Sequence, residues 1–108
     1  MKAIHLTAYG NPAQNLRMVE VSEPNAPSAS EALVRMEYAP INYSDLLLAN
    51  GVYFLNPKLP SVIGGDGAGI VEAIGPGVTS VKVGDRVTIP FGTFTWSEEV
   101  LAPAQGLF

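Results

Sequence analysis

Gly64-Gly65-Asp66-Gly67-Ala68-Gly69-Ile70-Val71-Glu72-Ala73-Ile74-Gly75-Pro76-Gly77 is the stretch on which the fold turns. As a phosphate loop it would open an α/β nucleotide-binding unit, because glycines let backbone N–H groups approach an anion closely. The spacing fails that test. Three residues beyond Gly69 stands Glu72, where G-x-G-x-x-G needs a third glycine, and neither a P-loop lysine nor a long helix follows. The other reading is a buried strand, Gly67–Ile74, left by the turn Gly75-Pro76-Gly77. The glycines at its entry mark a backbone that passes close to another element or needs positive φ. Asp66 then lies exposed in a rim loop.

The same rhythm continues outward, with 11 glycines and 9 prolines spread as punctuation through 108 residues. Downstream, the turn Gly84-Asp85 leads into a strand from Arg86 to Pro90, and Thr95 to Ala102 closes the series. Upstream, Ala3, His5 and Thr7 alternate with Ile4, Leu6 and Ala8. The turn Gly10-Asn11-Pro12 and a second run, Leu16 to Val21, then complete a hairpin or edge pair. The aperiodic stretch Ser22 to Ser30 is a loop into the strand Ala32 to Ala39. One short helix is predicted, with Ser44 as its cap, Asp45 in its first turn, Leu46 to Ala49 as its body and Asn50-Gly51 as its end. Short strands at this spacing predict a mainly β chain, a small irregular β-barrel forming one domain over residues 1–108.

Composition narrows the function. At 47% hydrophobic and 15% charged residues the chain is globular, and a domain of this length can hold a single core without staples. The absence of cysteine removes disulfides, thiol nucleophiles and cysteine-bearing zinc sites. The net charge is −4, and Lys2, Arg17, Arg35, Lys58, Lys82 and Arg86 are scattered, which argues against nucleic acid as a partner. The apolar run Leu46-Leu47-Leu48-Ala49 is far below the roughly 20 residues of a membrane span. The amino terminus does not read as a signal peptide, so a cytoplasmic location is the default expectation. Length poses the remaining question, because a nicotinamide enzyme normally carries a doubly wound domain of about 150 residues beside its substrate domain.

Few residues offer chemistry. His5 stands alone without converging ligands and belongs to the polar face of the first strand, so no metal site is expected. Glu98 and Glu99 should point to opposite faces of a strand, which rules them out as an acid/base dyad. Tyr53 follows the helix-ending Gly51 and opens an irregular loop. It could donate a proton or hydrogen bond to a developing oxyanion, or serve as a structural aromatic. Phe94 and Trp96 could line a pocket or belong to the core.

A family resemblance rests on several segments in order: Ala39-Pro40-Ile41-Asn42-Tyr43-Ser44-Asp45, Gly51-Val52-Tyr53, Leu59-Pro60-Ser61-Val62-Ile63-Gly64-Gly65-Asp66-Gly67, then Val78 and Val83-Gly84-Asp85-Arg86-Val87. Together they resemble the amino-terminal catalytic domain of the medium-chain dehydrogenase/reductase superfamily, over nearly the whole chain. The resemblance implies a GroES-like irregular β-barrel, mainly β with one or two short helices, and a Rossmann cofactor domain that these 108 residues lack. Within the superfamily the chain looks like the zinc-free branch of quinone oxidoreductases and 2-enoyl thioester reductases. Asn42 and Gly65 stand where zinc alcohol dehydrogenases have a cysteine and a histidine. The start Ala-Pro-Ile-Asn, the pair Gly64-Gly65 and Gly92-Thr93-Phe94-Thr95-Trp96 are most similar to the enoyl reductases.

By that resemblance Tyr53 matches the catalytic tyrosine and Asn42 the asparagine beside the nicotinamide. Tyr43 and Ser44 join Asn42 on the cofactor side, and Phe94 and Trp96 line the substrate pocket. The implied cofactor is NADPH without zinc, the implied partner a small-molecule substrate, and the implied parent protein a homodimer. Two positions depart from the pattern: Tyr43 replaces the usual proline, and Gly67 directly follows Asp66 where a glutamate is common. Ending on the apolar Leu107-Phe108, the chain is expected to be part of a longer oxidoreductase and inert by itself. The competing expectations are a standalone GroES-like assembly module, which would use the Val52 to Leu59 loop, and an inert barrel.

Overall fold

The computed structural model describes all residues from Met1 to Phe108. Seven strands form two antiparallel sheets. The elements are β1 (Lys2–Leu6), α1 (Pro12–Asn15), β2 (Leu16–Glu20), β3 (Glu31–Tyr38), α2 (Tyr43–Asn50), β4 (Ser61–Val62), β5 (Ala68–Ile74), β6 (Arg86–Thr88) and β7 (Glu99–Pro103). A single 3₁₀ turn, Ala104–Gly106, follows β7. The smaller sheet runs β2-β1-β4 and the larger β6-β5-β3-β7. This is the mainly β, GroES-like architecture expected of the sequence.

The larger sheet obeys its sequence pattern. Ala32 and Val34 on β3, Gly69 and Val71 on β5, and Val100 and Ala102 on β7 are buried, each spaced by two as a strand with one covered face requires. The hydrophobic residues among them make one core with Val81, Val87, Ile89, Ala104 and Leu107. The smaller sheet shares a second core with α2, built on Leu6, Leu48, Ala49, Ile63 and Trp96. Residues Thr95–Glu98 stitch the sheets together. Trp96 donates its backbone N–H to Ile63 and accepts at its carbonyl from Ile4, while the Glu98 carbonyl accepts from Met36 and its N–H donates to Lys2.

That stitching explains where the structure departs from the sequence expectations. The segment from Thr95 to Ala102 is not one strand: its ladder with β3 begins at Glu99, and only an isolated Ala3–Ser97 bridge precedes it. Ala3 and Leu6 are both buried, against the predicted alternation, because the Trp96-Ser97 segment covers β1 near its start. His5 is half-buried on the middle strand, paired in register with Arg17 and Val62. The pair β4 was not anticipated, and the Gly10-Asn11-Pro12 turn continues into α1, capped by the Asn11 side chain.

The helix also begins earlier than expected. Asn42, extended at φ −101 and ψ 161, is the cap of α2, whereas Ser44 lies inside its first turn. The sequence does carry the signal: Asn42-x-x-Asp45 is a capping pattern, and the Asp45 carboxylate accepts from the Asn42 backbone N–H at 2.8 Å. The predicted end at Gly51 stands.

Candidate functional site

The site is assembled around one buried carboxylate. Asp45 is only 3% exposed. One of its oxygens accepts from Asn42 N–H at 2.8 Å, and the other accepts from Gly65 N–H at 2.9 Å. It therefore ties the start of α2 to the glycine loop, two segments twenty residues apart. An ionised acceptor with two satisfied donors can hold such a junction, since charge-assisted hydrogen bonds are roughly twice as strong as neutral ones.

A second tie is made by Asp66, which is exposed in its loop as expected. Its carboxylate accepts from the carboxamide of Asn42, and its backbone carbonyl accepts from the buried Thr95 hydroxyl at 2.7 Å. The glycines here answer a steric demand rather than an anion. Gly64 has φ +112, and a Cβ on it would stand 2.4 Å from Trp96 Cδ1. A Cβ on Gly69 would stand 2.2 Å from the Arg35 carbonyl oxygen, so the strand-entry reading of this run holds.

Tyr53 is half-buried and packs against the second core. It shares a small cleft with Ser44, Asp45, Gly65, Phe91 and Phe94. The structure thus brings together Tyr53, Ser44 and Phe94 from the residues singled out in the sequence, with Asn42 held next to them through Asp45 and Asp66. Tyr43 is 75% exposed at the first position of α2. Trp96 is not on this cleft. It is a core residue, and its accessible side contributes to a separate apolar groove of about 670 Å³ with Met18, Met36, Tyr38, Ile41 and Leu46.

Three features escaped the sequence. The clasp of Asp45 on Gly65 and that of Asp66 on Asn42 join residues more than one turn apart, so no local period announces them. The third is an aromatic contact between loops: Phe54 stacks on Phe91 with centroids 5.9 Å apart. No three or more histidine, cysteine, aspartate or glutamate side chains converge as a metal-binding group. No helix is long and apolar enough to cross a membrane.

Glu98 and Glu99 do diverge, the former accepting from Lys2 N–H. Glu99 instead meets Glu72 across the larger sheet. The hydrogen bond with Glu72, together with partial burial and the negative charges of Glu72, Glu23 and Glu98, pushes the Glu99 carboxyl up to about 7. Glu72 also holds Arg35, at 3.1 Å.

The arrangement of sheets, capping helix and glycine loop matches the alcohol dehydrogenase GroES-like domain over residues 28–107. The chain belongs to this family. The GroES-like domain is similar to the mitochondrial enoyl-[acyl-carrier-protein] reductase of Caenorhabditis elegans, 42% identical over 102 residues, covering 93% of this chain and 29% of that protein. It is also similar to an alcohol dehydrogenase of Geobacillus stearothermophilus, 42% identical over 91 residues, covering 84% of this chain and 26% of the other. Among solved structures, Escherichia coli quinone oxidoreductase complexed with NADPH superimposes with a TM-score of 0.89 at 30% identity, over 100% of this chain and 32% of that one. The domain thus spans under a third of each of these relatives, which are oxidoreductases of the medium-chain dehydrogenase/reductase type.

Proposed function

We propose that this GroES-like domain is the substrate-side half of a zinc-independent, NADPH-dependent oxidoreductase that reduces an activated double bond, as in a 2-enoyl thioester, or a quinone. The observation that carries the reading is the Asp45 junction, which gathers the Asn42 helix start, the Gly65 loop and the Tyr53 cleft into one site. The donor set favours organic over metal chemistry. Gly65 has no side chain to offer, Asn42 presents a carboxamide engaged by Asp66, and both oxygens of Asp45 already accept backbone N–H groups.

The residues present fit a nicotinamide on the same side. Asn42 and Ser44 are half-exposed polar groups suited to carboxamide and hydroxyl partners, and Tyr43 adds an accessible ring. The likeness to a quinone oxidoreductase complexed with NADPH supports that choice of cofactor. NADPH, when bound, supplies a hydride. The chain's own contribution is electrostatic: the Tyr53 hydroxyl donates a hydrogen bond, or its proton, to the oxygen on which negative charge develops, while its ring helps keep the cleft apolar. Asp66 restrains the Asn42 carboxamide, so that less orientational freedom is lost when a ligand arrives.

The test joins residues 1–108 to the remaining two-thirds of the E. coli quinone oxidoreductase and follows NADPH oxidation with a quinone or a crotonyl thioester. The chimera should turn over one of these acceptors, and Tyr53→Phe should lower kcat by about 10²-fold, as loss of a general acid or oxyanion donor does. The 108 residues alone should be inert. A folded chimera that oxidises no NADPH with either acceptor would overturn the proposal, and robust turnover by the domain alone would overturn the half-enzyme reading.

A further inference from the structure

The Tyr53 cleft is too small for any substrate. Its enclosed space is about 10 Å³, room for roughly one water. An acceptor must therefore lie across its mouth, and the mouth has a distinct surface. Phe54 is 72% exposed and Phe91 58% exposed, yet the two rings stack on each other, with planes 28° apart. Phe54 also leans on Tyr53, centroids 4.6 Å apart and tilted by 46°, which makes the pair continuous with the cleft. Phe91 lines the cleft directly.

Two phenyl rings left in water at the mouth of the cleft are unfavourable unless something apolar covers them. Offset stacking at 4.5–7 Å is the arrangement aromatic faces prefer, so these rings form a short stacked platform whose exposed end a further planar π-system can extend. A flexible acyl chain can cover the same carbon area but gains nothing from face-to-face stacking. The platform is built from two loops, Val52 to Leu59 and Pro90 to Phe94, so its ring spacing depends on their packing rather than on either sequence segment alone.

We propose that Phe54 and Phe91 are specificity-determining residues, forming an aromatic lip that selects a flat conjugated acceptor over an acyclic one at the Tyr53 cleft. This rests on the oxidoreductase reading and names the substrate class for its site. The chain has no cysteine, so a quinone probe can be titrated without thiol adducts.

The 108-residue domain, labelled for NMR, is titrated with menadione and separately with crotonyl-N-acetylcysteamine. Menadione should move the ring resonances of Phe54 and Phe91. Phe54→Leu and Phe91→Leu, which keep an apolar side chain but remove the ring, should each lower the ratio of menadione to thioester affinity about three- to ten-fold. Phe108→Leu, an exposed phenylalanine at the chain end, should leave the ratio unchanged. The proposal is overturned if menadione shifts neither ring up to its solubility limit, if it shifts the Met18–Ile41 groove instead, or if both ligands weaken equally in the variants. Ring shifts that depend on protein concentration without ligand would assign the pair to a contact between copies and overturn it as well.

The chimera separates this inference from the reading beneath it. Turnover of menadione whose KM ignores both leucine variants would remove the lip and keep the oxidoreductase. An inert chimera, with menadione still bound at both rings of the domain, would remove the oxidoreductase and keep the lip.

Discussion

The two cores of this domain are built on different terms. The larger sheet closes over ten buried residues, from Ala32 and Val34 to Ala104 and Leu107, and its strands alternate as their sequence says. The second core has five buried residues, and its surroundings leave Ile41, Tyr43, Val52, Phe54 and Phe91 in solvent. The larger sheet buries one face of its strands while leaving Tyr38, Val83 and Phe108 in solvent, and the other region holds open a loop-built face by a few specific ties. The proposed site thus sits on the loop-built face, where irregular backbone carries the side chains, rather than on the regular ladder of the larger sheet.

The largest test of that contrast is Gly64→Ala. Positive φ and the approach to Trp96 should together cost about 4 kcal/mol, the combined scale of backbone strain and overpacking. Denaturant unfolding measures the loss. Native-state hydrogen exchange should show it first in α2 and the Gly64–Asp66 loop, with amides of β3 and β5 retaining protection longer. Equal loss of protection in both regions would mean that the two cores are one cooperative unit.

Asp45→Ala is the next in size. It strands the N–H groups of Asn42 and Gly65, at a cost of about 3 kcal/mol. Asp45→Asn retains an acceptor and should recover part of that stability, whereas a simple packing role for Asp45 would make the two variants alike.

The smallest effect belongs to the larger sheet and concerns pH. The Glu99 carboxyl titrates near 7 in the folded chain against 4.5 when unperturbed, so between those values the folded state holds a proton that the unfolded state has lost. Its contribution is complete below pH 4.5 and disappears as the pH rises through 7. The partly solvated setting keeps it to about 1 kcal/mol or less. Wild type minus Glu99→Gln, compared at pH 5 and pH 8 by urea unfolding, should show that slope, and a flat difference would refute the shared proton with Glu72.

Legibility followed the range of the interactions. The β5 strand, its exit turn and the Gly51 helix end are set within a few residues by steric rules, and each is legible in the sequence. The helix starts two residues before the Ser44 cap predicts: the local Asn42-x-x-Asp45 pattern competes with Ser44 and prevails because Asp45 accepts from Asn42 N–H. The segment from Thr95 to Ala102 misled because alternation cannot reveal that Trp96 leaves one sheet to pair with Ile63 and Ile4. Alternation tells Glu98 from Glu99, but not that the partner of Glu99 lies on β5, across an intervening strand.

Chain order alone therefore determined the β class, the family and the residues worth watching, since turn chemistry and motif spacing are local properties that survive without a structure. Tertiary structure decided which of those residues meet. Tyr53 faces the Gly65 loop because Asp45 clasps that loop to α2, and Trp96 lies away from the cleft because it fills the second core. Phe54 and Phe91, with 36 residues between them, become a surface only when their two loops pack ring against ring. Such contacts depend on the closure of the whole chain, and no window of sequence contains both partners.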